Sequence, residues 1–214
     1  MRFRPTLYAA ILSSSVVGAS LFLMAAGGEH PAPANPEYFQ WSHFKPGTYV
    51  TIERKIVEHR EATPGVVEAM AHPMGSAVVR ITSKLVDLNK DKAVLEETRT
   101  DLDEGSETEM PADKVTLFAS GEISHASDSL LEKPSKQEVA KLTEGDEDVA
   151  VMGNRLKTHW VETSIKTGPE LSTSKEWLSD DVPGGLVKEE IRKTGSGKLV
   201  MESVAKVIDY KLGS

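Results

Sequence analysis

The chain contains no cysteine. That excludes disulfide staples, thiolate metal sites, cysteine nucleophiles and lipidation through a leader cysteine, so stability has to come from an ordinary apolar core. Positive charge is also scarce. Setting aside Arg2 and Arg4, 23 basic residues stand against 33 acidic ones, a net of −10. A surface of that sign repels phosphate backbones and anionic headgroups, which argues against nucleic-acid binding.

Catalytic and metal-binding spacings are missing as well. The histidines (His30, His43, His59, His72, His125 and His159) form no His-x-x-x-His or His-Glu-x-x-His pair, so a metal site would have to be assembled from distant strands. No Gly-x-Ser-x-Gly elbow occurs. Gly195-Ser-Gly-Lys198 lacks the first glycine of a phosphate loop and has Leu199 where that loop needs Ser or Thr, so it reads as a turn. Asp101 to Glu107 places Gly105 and Ser106 where a calcium loop needs an oxygen ligand and glycine, and reads as a solvated loop. Asp180-Asp181 and Glu189-Glu190 are adjacent in sequence, which on a strand points them to opposite faces. The expectation is a protein without catalytic residues, metal or cofactor, and not an enzyme.

What is present begins with a leader. Arg2 and Arg4 precede Leu7 to Ala26, a run of 20 residues without charge, the pattern of an export signal. Met24-Ala-Ala26 before Gly27 and Ala32-Pro-Ala34 before Asn35 are the two cleavage candidates. The run is also long enough to span a hydrocarbon core of roughly 30 Å. The alternative is therefore an uncleaved inner-membrane anchor over residues 7–26, with Arg2 and Arg4 in the cytoplasm. Either way the body is expected in the periplasm or outside the cell, meeting a membrane only through that segment. Residues 27–35, with Gly-Gly, His-Pro and Pro-Ala-Pro, read as a tether, and residues 36–214 as a single domain.

Asn35-Pro36 caps and opens a short helix, on which Tyr38, Trp41 and Phe44 recur at a spacing of three. Thr48 to His59 alternates as a half-buried strand in which Arg54 is the one exception on the apolar side. Glu61 to Ser76 keeps Val66, Val67, Met70 and Met74 in an irregular stretch. It is either a flap or a long hairpin folded back on the sheet. Ala77 to Asp87, the turn Asn89 to Lys92, and Ala93 to Thr100 form a hairpin with one wet face. Lys114 to Ala119 is a short strand.

Ser135 and Glu138 have the spacing of a capping box and predict a second short helix to about Leu142. Glu144 to Asp148 reads as an acidic bend. A hairpin with a Gly153-Asn154 loop follows, and Trp160 is expected to anchor the core from its second strand. Thr167-Gly-Pro169 turns the chain again. Val182-Pro183-Gly184-Gly185 then reverses it tightly, because proline presets one turn dihedral and the glycines accept positive φ. The last strand, Leu199 to Lys211, carries apolar residues on both parities and is expected at a central or strongly curved position with both faces covered.

Arg155-Leu-Lys-Thr-His-Trp-Val-Glu162 and Lys175-Glu-Trp-Leu-Ser-Asp-Asp-Val-Pro-Gly-Gly-Leu-Val-Lys188 resemble the carboxy-terminal half of exported, uncharacterised bacterial proteins. These are similar to the lipoprotein-localisation-factor superfamily. The resemblance implies a long antiparallel sheet curled into an incomplete barrel, with short helices on the concave side and a hollow that receives acyl chains or another hydrophobic guest. The combined expectation is a mainly β half-barrel of eight to ten strands, with helices near 36–44 and 135–142. Trp41, Met70, Met74, Trp160 and Trp177 are candidates to line a lipid site, since methionine and aromatics adapt to varied guests. The alternative is an envelope protein with a filled core that binds a protein partner through a sheet edge or its acidic loops.

Overall fold

A computed structural model describes residues 35–59, 75–103, 106–120 and 138–213. The leader, the tether before Asn35, and Met70 and Met74 in the 61–76 stretch lie outside them. Helix α1 (Pro36–Ser42) precedes ten strands: β1 (Tyr49–Glu58), β2 (Gly75–Leu88), β3 (Lys92–Asp103), β4 (Ser106–Glu109), β5 (Asp113–Phe118), β6 (Glu138–Val151), β7 (Asn154–Thr167), β8 (Glu170–Leu178), β9 (Leu186–Gly195) and β10 (Lys198–Lys211). All belong to one antiparallel, unclosed sheet in the order β4-β3-β2-β1-β10-β9-β8-β7-β6, with β5 also on β3. The last strand therefore takes the middle place and joins two arms. Its second expectation is only half met. Ala205 and Val207 are buried, but Leu199, Val200 and Val204 stay exposed.

Turn chemistry explains the reversals. Asn89 Oδ1 accepts from the Asp91 and Lys92 amides, closing β2 onto β3. Between β6 and β7 the loop is Met152-Gly153, at φ 49° and 82°, and Asn154 already pairs with Val151. This corrects the expected Gly153-Asn154 loop by one residue. Gly153 takes the second left-handed position of a primed turn, and Met152 is forced into the first.

Two further expectations fail in β6. Residues 138–142 are strand, not helix, because their backbone groups pair along the whole of β7, from Glu138↔Lys166 to Val151↔Asn154. The capping-box spacing is a local preference that this ladder overrides. Nor is there an acidic bend. Glu144 to Asp148 continue the strand, as charged residues commonly do at a sheet edge. Asp101 to Asp103 likewise lie in β3 and Ser106-Glu107 in β4, in place of the expected solvated loop.

Helix α1 forms as the sequence predicts. Asn35 Oδ1 accepts from the Glu37 amide at 3.0 Å and Pro36 stands in the first turn. Its buried face presents Tyr38 and Trp41 to a core of Val50, Leu85, Leu95, Leu117, Val182 and Val187. The helix touches both arms. On one, the Asn35 amide donates to the Ala119 carbonyl after β5, and the Tyr38 hydroxyl to the Asn89 carbonyl. On the other, a His43 ring nitrogen meets the Asp180 carbonyl, and Trp41 lies against Gly184 in the β8–β9 turn. A flat sheet would set β3 and β9 about 19 Å apart, at roughly 4.8 Å per strand step. A seven-residue helix is only about 10 Å long. The sheet bends to bring both arms to it.

Candidate functional site

Arg54 breaks the apolar alternation of β1 because its side chain has an ionic partner on that face. Direct pairing runs Arg54↔Ala205↔Glu189↔Glu176 across β1, β10, β9 and β8. Residues directly opposite share a face. Ala205, fully buried and small, lets Arg54 Nη2 reach Glu189 Oε2 at 2.7 Å across the intervening strand. Only 3% of the Glu189 side chain is exposed, against 22% for Arg54.

Glu176 then faces Glu189 and, among the described residues, has no ion-pair partner of its own. Burial pushes the Glu176 carboxyl above its usual range and the Glu189 carboxylate pushes it further, with Arg54 offsetting part. Burial raises Glu189 too, again against the pull of Arg54. Ser174 Oγ sits close enough to Glu176 to ease its charge, yet makes no hydrogen bond by geometry. One row along, in the same parity as Ala205, Ser203 Oγ is also buried without a partner. Two carboxylates and one guanidinium favour retention of a proton, but among the described residues no group of three or more His, Asp and Glu is placed to hold a metal.

The opposite face of the same strands carries the tryptophans. The row reads Lys206↔Lys188↔Trp177↔Trp160↔Gly145. Trp160 lies over Gly145, where an added Cβ would fall 2.8 Å from the ring. Lys175 Nζ stands 4.2 Å from the Trp160 ring centre and 4.5 Å from that of Trp177, whose Nε1 donates to Glu147 Oε2. Lys188 covers Trp177 from the other side at 4.4 Å. Such contacts contribute about 0.5–2 kcal/mol each. Trp177 is thus buried by lysine stems as well as by apolar neighbours, and Trp41, on the buried face of α1, belongs to the same core cluster, against which Trp160 packs. Pro183, Gly184 and Gly185 occupy the turn assigned to them, with Gly184 and Gly185 at φ 77° and 74°.

Beyond Leu178, the last residue of β8 and the partner of His159, the β6–β7 hairpin extends past β8. A cleft of about 460 Å3 opens there, walled by Val149, Val151, Met152, Val187, Val207 and Ile208, with Lys188 and Lys206 beside them. The volume falls in the range of small-molecule sites, roughly 300–1,000 Å3. A second cleft, of about 420 Å3, lies by Phe39, Gln40, His43 and Asp180. Sequence reading does not reach the first, because it depends on β7 outrunning β8.

No protein-family model and no curated protein matches the chain. Among solved structures, a Bacteroides fragilis protein named as a candidate exported protein with a YmcC-like fold is 10% identical. That match covers 78% of this chain and 97% of the other, with a TM-score of 0.40. A 12:0-ACP thioesterase from Umbellularia californica is also 10% identical, over 77% of this chain and 75% of its own, at a TM-score of 0.15. The chain is similar to each at low identity and low superposition.

Proposed function

We propose that this is an exported, non-catalytic binding protein that holds a hydrophobic guest, a lipid or another apolar small molecule, against its open sheet. The cleft at the end of the β6–β7 hairpin carries the reading, since valine, isoleucine and methionine make up most of the residues that line it. Removing apolar surface from water there contributes roughly 25 cal/mol per Å2. The leader pattern of residues 1–26 supports export. The ionic row supports a binding role over a catalytic one, because Arg54 and Glu189 satisfy each other and neither lines that cleft.

A second reading, an envelope interaction protein, is favoured by β6. It ends the sheet order and carries exposed Glu144, Asp146, Glu147 and Asp148, and an edge strand offers unpaired backbone groups to a partner. Native mass spectrometry of the exported protein, followed by solvent extraction, separates the two. A bound apolar molecule, and uptake of the neutral dye Nile red by the stripped protein, are expected for the carrier. A bare mass with no dye uptake refutes it and leaves the edge-strand reading.

A further inference from the structure

We propose that the guest is a single-chain amphiphile with an anionic head, the head held between Lys188 and Lys206 and the chain laid along the apolar walls of the cleft. The inference rests on the carrier reading and adds the chemical class of the guest.

Its starting point is an unfavourable pairing. Lys188 and Lys206 are direct partners on β9 and β10, which sets their Cβ atoms about 4.5–5.5 Å apart, and like charges so placed destabilise a sheet. The available counter-charges are only half sufficient. Lys188 Nζ has Glu190 Oε1 at 2.7 Å and the Trp177 ring beneath it. Lys206 is opposed on its other side by Glu53, but Glu53 Oε2 is held by Arg80 Nε at 3.1 Å. Among the described residues Lys206 has no carboxylate within ion-pair distance, and it is exposed.

The body is strongly acidic, and its general field opposes an anion. At physiological salt that field is screened within about 8 Å. Both charged residues that line the cleft are lysines, and Lys188 keeps donors beyond the one that meets Glu190, so a carboxylate or a phosphate monoester can accept charge-assisted hydrogen bonds from both. The exposed Lys206 stem can lie along the apolar wall while its head reaches the rim. A neutral long-chain alcohol would gain the walls alone, and a cationic amphiphile would meet the lysines as a third like charge.

The test displaces Nile red from the stripped, full-length exported protein with palmitate, hexadecanol or hexadecyltrimethylammonium, in wild type and in Lys206→Met, an exposed position where the stem is kept. Palmitate is expected to displace the dye at about tenfold lower concentration than hexadecanol. Lys206→Met should remove most of that advantage and leave hexadecanol unchanged, and added salt should weaken palmitate only. Equal displacement by palmitate and hexadecanol, an advantage untouched by Lys206→Met, or preference for the cation overturns the inference while the carrier reading stands. Failure of the protein to take up Nile red at all removes the carrier reading, and this inference with it.

Discussion

Glu176 and Glu189 are cross-strand partners whose carboxyls are both raised by burial, yet only Glu189 has a cation to lose. Glu189 compensates Arg54. Glu189→Gln relieves one buried charge but leaves the half-buried Arg54 guanidinium with a weaker partner, so at neutral pH it should give a less stable protein than Glu176→Gln does. Glu176 has no cation of its own, and its pKa is raised first by burial and then by Glu189. A carboxyl whose folded pKa lies above its unfolded value binds protons more readily when folded. Stability is then highest below the ordinary value of 4.5, falls as pH rises through the raised folded value, and stays lowered above it. Glu176→Gln should therefore raise the melting temperature at neutral pH and converge on wild type below pH 4.5. Thermal unfolding of both variants across that range checks the pair. A Glu176→Gln protein that is less stable than wild type at neutral pH would show that the carboxylate supports the fold. Arg54 is legible in the sequence as a break in alternation, but its partner is not. Glu189 and Glu176 are 13 residues apart around a turn whose register shifts between Trp177 and Leu178, and a bulge of that kind leaves no compositional trace.

The β8–β9 turn shows what an element adds to its residues. Val182 is fully buried, and the turn is closed by the Gly185 amide donating to the Val182 carbonyl at 2.8 Å. Gly184 and Gly197, in the β9–β10 turn, have nearly the same φ, 77° and 81°. An alanine at either pays about 1–2 kcal/mol for the left-handed backbone. Only at Gly184 does the new Cβ meet a ring, Trp41 at 3.3 Å, whereas nothing lies within 4 Å of Gly197. Trp41 is buried in the core and cannot yield freely. Gly184→Ala should accordingly cost roughly 1 kcal/mol more than Gly197→Ala in urea unfolding, and equal costs would mean that α1 does not press on this turn. Elements whose reversals rest on proline, glycine or asparagine are legible in sequence: the β2–β3, β7–β8, β8–β9 and β9–β10 turns all stand where local chemistry puts them. β6 is not, because its partner strand rather than its own residues decides it. A capping-box spacing and an acidic run are both outweighed by continuous pairing with β7.

At the scale of the whole molecule, the open sheet is held bent by a helix of seven residues. Residues 32–214 form one compact unit, although β2–β5 and β6–β9 are separated in the sheet by β1 and β10. Strand pairing alone would let the two arms flex about that seam. Tyr38 and Trp41 instead belong to one core with Leu85, Leu95 and Leu117 from one arm and Val151, Leu156, Trp177 and Val187 from the other. Trp41→Ala should therefore cost about 3–5 kcal/mol, the usual range for truncating a buried aromatic, and the loss should be felt on both sides of the seam. The two remaining tryptophans, Trp160 and Trp177, report the β6–β9 arm by fluorescence, and hydrogen exchange of the β2 and β3 amides reports the other. Both should lose stability by the same amount, since a clasp that fails releases both ends. If the tryptophan transition moves while β2 and β3 keep their protection, the arms fold independently, and the bend has to be set by the twist and bulges of the strands themselves.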